Sequence, residues 1–276
     1  MPTDRELVYV YGIVSDAFDA KGAPHGVEDG AVRVLTAAGG FAALASSVAR
    51  ADYSPSEIEG HGGDVAWLSP RAQAHDRVLT WAQERDVVIP LPIFSLWSSA
   101  DSVTKTLASQ RDRIAGLMRR VSGADEFGLR VHRRDEQLLA SLDSIDSEAA
   151  RLRAQAKEAS PGQRYLLERK LAEYGRTAVK AAGQRMSREI YETLRGFGRD
   201  AIARPLTPDS TRADEATMIL NGAFLVERVK LNAFREAVGG IMRDYGGKGL
   251  AFDFTGPWPP YNFVAEDGAP ALSERA

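Results

Sequence analysis

"FGLRVHRRDEQLLASLDSIDSEAARLRAQA" (127–156) changes character partway along, and the rest of the chain is best read outward from that change. Its first residues, 127–134, read as a strand. Beyond them Leu138, Leu142, Ile145, Ala149 and Leu152 fall three or four apart, the stripe of an amphipathic helix. Pro161 and Gly162 break the pattern. The spacing then resumes over 163–203 through Leu167, Leu171, Tyr174, Ala178, Ala181, Ile190, Leu194 and Phe197. One unbroken helix of roughly 40 residues would run ~60 Å, longer than a small domain is wide. The two helices are therefore expected to pair as an antiparallel, coiled-coil-like hairpin over about 135–203. Gly175, Gly183 and Gly196 each weaken the second helix by about 1 kcal/mol relative to Ala, which allows a bend.

Towards the C-terminus, "RPLTPDSTRAD" (204–214) reads as a loop, "ATMILNGAFLVER" (216–228) as a strand and 229–246 as a helix. "GLAFDF" (249–254) is a last strand with Phe252 and Phe254 on one face. Towards the N-terminus, "ELVYVYGIV" (6–14) is a strand and 31–48 a hairpin around Gly39-Gly40. Helical spacing follows in the C-terminal part of 64–86, with Ala74, Val78, Trp81 and Ala82 in phase, and a second helix at 98–120. Between them "VVIPLPIFSLW" (87–97) is extended; Pro90 and Pro92 lack a ladder donor, so it is an edge or bulged strand. "SGADE" reads as a turn. The expected fold is α+β, with two ferredoxin-like α/β domains, 1–125 and 126–276. The second carries the hairpin and a proline/aromatic tail.

The composition is that of an ordinary globular protein, 44% hydrophobic and 26% charged. With 35 basic against 38 acidic residues the net charge is −3, and no global charge selects nucleic acid or anionic membrane. The absence of cysteine excludes disulfides, thiolate metal sites and cysteine nucleophiles. The first residues lack a signal-peptide pattern, and no apolar run is long enough to span a bilayer, so a cytoplasmic, membrane-free protein is expected.

Catalytic motifs are sparse. His25, His61, His75 and His132 have no metal-ligand spacing, and "HGGD" (61–64) reads as turn chemistry. "YGGKG" (245–249) follows a helix instead of preceding one, so it is a helix end and no phosphate loop. The acidic pairs Asp125-Glu126 and Asp214-Glu215 fall in turn segments, where solvated charge is the default. No catalytic, cofactor or metal residue is assigned. Two partner surfaces stand out instead. Residues 161–204 hold ten Lys/Arg against five acids, including Arg176, Lys180 and Arg188. That helix is a solvated face, a docking face for an acidic partner or, as an alternative function, a nucleic-acid or regulatory module over 163–204. The second surface is the proline-marked strand, where Ile93, Phe94, Leu96 and Trp97 either belong to the core or meet a partner at a sheet edge.

Four stretches in order then point to a family: "LVYVYGIV", "VIPLPIF", "GQRYLLERKL" and "TGPWPPYNFV". Their specific parts are Gly162, Tyr165, Leu166 and Lys170 in the third, and Gly256, Pro257, Trp258, Pro259, Pro260 and Tyr261 in the fourth. Over residues 7 to about 264 the chain resembles the gas vesicle GvpF/GvpL family. The resemblance implies two α+β domains and a non-enzymatic accessory or minor structural protein of gas vesicles. It further implies binding of the shell protein GvpA and help in its assembly, with no cofactor and no nucleic acid. One departure matters. The family usually reads V-L-P-L-R-F-G-T-V-F at the mid-chain strand, and here Pro92 stands for the Arg and Phe94 for the Gly.

The tail raises its own expectation. Its three prolines fix φ and donate no ladder bond, so the chain should leave the sheet after Phe254. Trp258, Tyr261 and Phe263 would then lie back on a neighbouring element as a clasp, each contributing roughly 1.5–3 kcal/mol if buried.

Overall fold

The structure, a computed structural model, describes residues 5–206 and 216–265. In chain order the elements are β1 (Glu6–Ser15), β2 (Arg33–Thr36), β3 (Phe41–Ala49), α1 (Pro55–Gly60), α2 (Val65–Gln83), β4 (Ile89–Pro90), β5 (Leu96–Trp97), α3 (Ala100–Ser109) and α4 (Arg111–Val121). There follow β6 (Ala124–Arg133), α5 (Asp135–Ala140), α6 (Ser147–Glu158), α7 (Pro161–Arg195), β7 (Asp200–Ala203), β8 (Thr217–Glu227), α8 (Leu231–Gly246), β9 (Leu250–Trp258) and α9 (Tyr261–Val264). The chain is α+β with two antiparallel sheets. It divides into two compact units, residues up to Asp125 together with those from Trp258 on, and Glu126–Pro257.

In the first unit the sheet order is β2-β3-β1-β4, and β5 pairs with β1 as well. β1 is buried from Leu7 to Val14, which is why it reads as a continuous apolar and aromatic run. Tyr9, Tyr11 and Leu44 of the sheet share one core with Val78, Leu79 and Ala82 of α2. The proline-marked segment resolves into two short pairings with a gap. Pro90 and Ile89 sit opposite Gly12 and Ile13, and Trp97 and Leu96 opposite Val8 and Tyr9. The Leu91 N–H donates to the Tyr11 carbonyl and the Val10 N–H to the Ser95 carbonyl, both at 2.9 Å. Only Pro92, Ile93 and Phe94 leave the ladder.

Three expectations change here. The helix at 98–120 is two, α3 and α4, which meet at Gln110; Ser99 caps α3 in a reciprocal box with Ser102. Asp125 and Glu126 are buried in β6 instead of solvated in a turn, because β6 begins at Ala124. Gln83 Nε2 donates to Asp125 Oδ1 at 2.8 Å, which satisfies a carboxylate that burial would otherwise make costly. The pair Asp214-Glu215 lies outside the described residues. The tail, expected in the C-terminal domain, packs in the first unit: Pro259, Pro260, Phe263 and Val264 are buried, and α9 lies on β4 and α4.

The second unit has the sheet order β7-β8-β6-β9. Phe127 and Leu129 of β6, Phe224 of β8, Phe234 of α8 and Val179, Ile190 and Leu194 of α7 form its core. The stripe at 138–152 is divided between α5, a 3-10 turn at Leu142–Ser144, and α6. Asp146 follows the turn and caps α6 by accepting from the Ala149 N–H at 3.0 Å. α7 is a single helix of 35 residues, about 52 Å long, and α6 packs along it. It is continuous through Gly175 and Gly183. A Cβ on Gly175 would lie 2.5 Å from Leu139 Cδ1, and one on Gly183 2.8 Å from Arg133 Cδ, so both mark close approaches. β7 has no counterpart in the sequence reading, which carried the helix to Ala203. β9 runs on to Trp258, four residues past the expected end of the strand.

Candidate functional site

The three residues that leave the ladder include one with strained backbone. Phe94 has φ 62°, the left-handed region that a bulky side chain rarely adopts. The other non-glycine residues with positive φ among those described are Glu28 (51°) and Asp29 (57°). Glu28 and Phe94 converge on one aromatic cluster. The Tyr53 hydroxyl donates to Glu28 Oε1 at 2.9 Å and accepts from Arg71 Nε at 2.9 Å, and Arg71 also pairs with Glu28. The Arg71 guanidinium lies 4.0 Å over the Trp67 ring. The Phe94 ring packs at 5.4 Å from Trp67 and 6.2 Å from Tyr53, between centroids. Strain of this kind persists only where surrounding contacts hold it, and it gathers at functional sites.

A buried hydrogen-bond chain holds the excursion from below. His75 Nε2 donates to the Leu91 carbonyl at 3.1 Å, so its Nδ1 accepts the Tyr9 O–H at 2.9 Å. Tyr9 Oη in turn accepts the Phe94 N–H at 3.1 Å. Burial pushes the His75 imidazole down to about 4 and so keeps it neutral. Burial likewise raises the Tyr9 phenol well above its ordinary value.

Above this support lies a groove of about 320 Å³ lined by Tyr53, Pro55, Ile58, Glu59, Ile93, Phe94 and Leu96. A larger but more open hollow of about 590 Å³ on α2, lined among others by Pro24, Asp76 and Trp81, contains no strained residue. Of the four residues singled out on the proline-marked strand, Ile93 is 36% exposed and Phe94 half-buried, whereas Leu96 and Trp97 are buried. The first two are open to solvent at the groove, Leu96 lines it and Trp97 is buried.

The remaining predicted residues scatter. Arg176, Lys180 and Arg188 are exposed on α7, interleaved with exposed Glu173 and Glu189. Gly162, Tyr165, Leu166 and Lys170 are all exposed at the start of α7, Tyr165 at 66% and Leu166 at 63%. In the tail Gly256 and Pro257 are exposed, and Trp258 is 46% exposed, so it is no buried clasp. Pro259 and Pro260 are buried, Tyr261 packs against the first core, and Phe263 supplies the anchoring ring. His61 stacks on Trp67 at 4.7 Å, beside Asp64, which caps α2. Among the described residues, no group of three or more His, Asp or Glu side chains is placed to hold a metal, and no helix is long and apolar enough to cross a membrane.

Two antiparallel sheets clothed by helices, with an apolar groove at a break in one edge, define a two-unit α+β protein. The chain belongs to the GvpL/GvpF family: the model described as "Gas vesicle synthesis protein GvpL/GvpF" matches residues 7–265. It is 27% identical to gas vesicle protein L of Streptomyces sp. (strain CB03234), over 97% of this chain and 96% of that one. It is 24% identical to gas vesicle protein L2 of Halobacterium salinarum, over 94% and 91%. The crystal structure of gas vesicle protein GvpF from Anabaena sp. PCC7120 superposes with a TM-score of 0.67, at 17% identity, over 95% of this chain and 97% of that one. That of GvpF from Microcystis aeruginosa gives 0.65 at 19% identity, over 94% and 99%. At these identities the crystal structures establish the fold alone. Family membership establishes a role connected with gas vesicles.

Proposed function

We propose that the protein is an accessory or minor structural component of gas vesicles that binds the shell protein GvpA and assists its assembly. The observation that carries this reading is Phe94: an aromatic residue in left-handed backbone, at the mouth of an apolar groove. A chain that tolerates such strain gains something other than stability from it. A shell monomer with apolar surface aggregates unless that surface is covered, and an apolar groove at a sheet edge is suited to cover part of it. The protein acts as a binding factor and not as an enzyme, works in the cytoplasm and at the vesicle, and needs no cofactor. We read both units as variants of one ferredoxin-like plan, and α6 with α7 as a coiled-coil-like hairpin.

The test is capture of GvpA by the tagged full-length protein. Ile93→Asp places a charge at the groove mouth on an exposed residue, so its thermal unfolding should match the wild type while capture is lost. Equal capture by the variant would sink the site assignment. Equal capture by Glu126–Pro257 alone would move the binding surface to the second unit.

A further inference from the structure

We infer that the groove takes a partner segment in which a large aliphatic side chain is flanked by a lysine or arginine. This rests on the groove's being the docking site and adds the chemistry of what enters it. The lining supplies the first half. Tyr53, Pro55, Ile58, Ile93, Phe94 and Leu96 present apolar surface, and about 320 Å³ lies at the small end of ligand pockets, a size for one anchoring side chain.

Charge supplies the second half. Glu59 is the charged member of the lining, and it is exposed. In the sequence on either side of it, residues 50–64 carry one arginine against four acids, Asp52, Glu57, Glu59 and Asp64. The Asp64 carboxyl is held below its usual range, first by the Trp67 N–H it accepts, so it stays ionised at neutral pH. Arg71 does not offset this charge, since its guanidinium is engaged by Glu28, Tyr53 and Trp67. A wholly apolar segment closing over the groove would strip water from Glu59 and give it no counter-charge. An acidic segment would be repelled outright. A cation beside the anchor meets Glu59 and also speeds encounter at low salt.

The experiment compares capture of GvpA by full-length wild type, Glu59→Lys, Glu59→Gln and Ile93→Asp, at low salt and at about 0.5 M NaCl, where screening is strong. Circular dichroism confirms that each variant is folded, and both positions lie at the surface. Glu59→Lys should weaken capture tenfold or more at low salt, Glu59→Gln by less, and both deficits should shrink at high salt. Ile93→Asp should lose capture at either salt. If Glu59→Lys captures as well as wild type while Ile93→Asp does not, the groove stands and the cationic flank is refuted. If Ile93→Asp also captures normally, the groove itself is refuted and this inference goes with it.

Discussion

In the first unit the edge beside β1 is occupied by two fragments, β4 and β5, with Pro92, Ile93 and Phe94 looped out between them. In the second unit the strand at the same place in the order, β9, runs without interruption from Leu250 to Trp258. The orders themselves agree: each unit places its second strand outermost, then the third, the first and the fourth. Backbone hydrogen bonding makes the same demand in both sheets, so the difference must come from side chains. Pro90 and Pro92 cannot donate, and a strand that carries them pairs only in pieces. β9 meets its proline, Pro257, only near its end. The sheet order is a shared frame, and the first unit departs from it where prolines keep an edge strand from finishing its ladder.

The supports differ as well. Under the broken edge lie Tyr9, Tyr11 and His75 with their hydrogen bonds; the second core is built around Phe127, Phe224, Phe234 and Phe254, which have nothing to pair. The largest expected effect follows from that core. Phe234→Ala removes a fully buried ring and should destabilise the second unit by about 3–5 kcal/mol. Hydrogen exchange should show amides of Phe224 and Leu225 losing protection while those of Tyr11 and Leu44 keep theirs. Equal loss in both sets would mean that the two units unfold as one, and the comparison would fail.

The next effect depends on pH and belongs to the first unit. His75 is held at about 4 in the folded chain against an ordinary 6.5. The unfolded chain therefore takes up a proton that the folded one refuses. Stability from this group is complete above about pH 6.5 and falls as pH drops towards 4, by about 3 kcal/mol at most. Denaturation midpoints of wild type and His75→Gln should converge through that window. Parallel curves would show that the Tyr9–His75 chain does not carry the titration.

Much of the frame was legible, and what was missed has physical reasons. "ATMILNGAFLVER" and the helix after it were readable because each keeps one period for long enough to be heard over loops. β7, "DAIA", is four residues with two alanines and carries no period. The break between α5 and α6 was hidden because Leu142 and Ile145 keep the helical spacing across it, while Asp146, in extended backbone, starts a new helix as its N-cap. Half of the groove was legible: Ile93 and Phe94 stand between prolines at an edge. Tyr53 and Ile58 were not, since they enter from the polar stretch 50–63, which has no period, and approach the excursion only in the folded chain. The tail misled at Trp258 because sequence ranks rings by size, and burial went to Phe263 instead.

The smallest effect is the sharpest test of the broken edge. At an ordinary extended or helical position Ala is favoured over Gly, because Gly surrenders more backbone entropy on folding. At Phe94 that order should reverse. Both Phe94→Gly and Phe94→Ala lose the ring and its contacts with Trp67 and Tyr53, so the lost packing is common to the two. They differ in what φ of 62° costs them: Gly adopts it freely, whereas Ala pays a left-handed penalty of about 1 kcal/mol. Phe94→Gly should therefore unfold at a higher denaturant concentration than Phe94→Ala, with the same slope. If Ala proves the more stable, the excursion relaxes out of left-handed backbone when the ring is gone. The strain would then be imposed by the packing of Phe94 and not by the three-residue break in the edge.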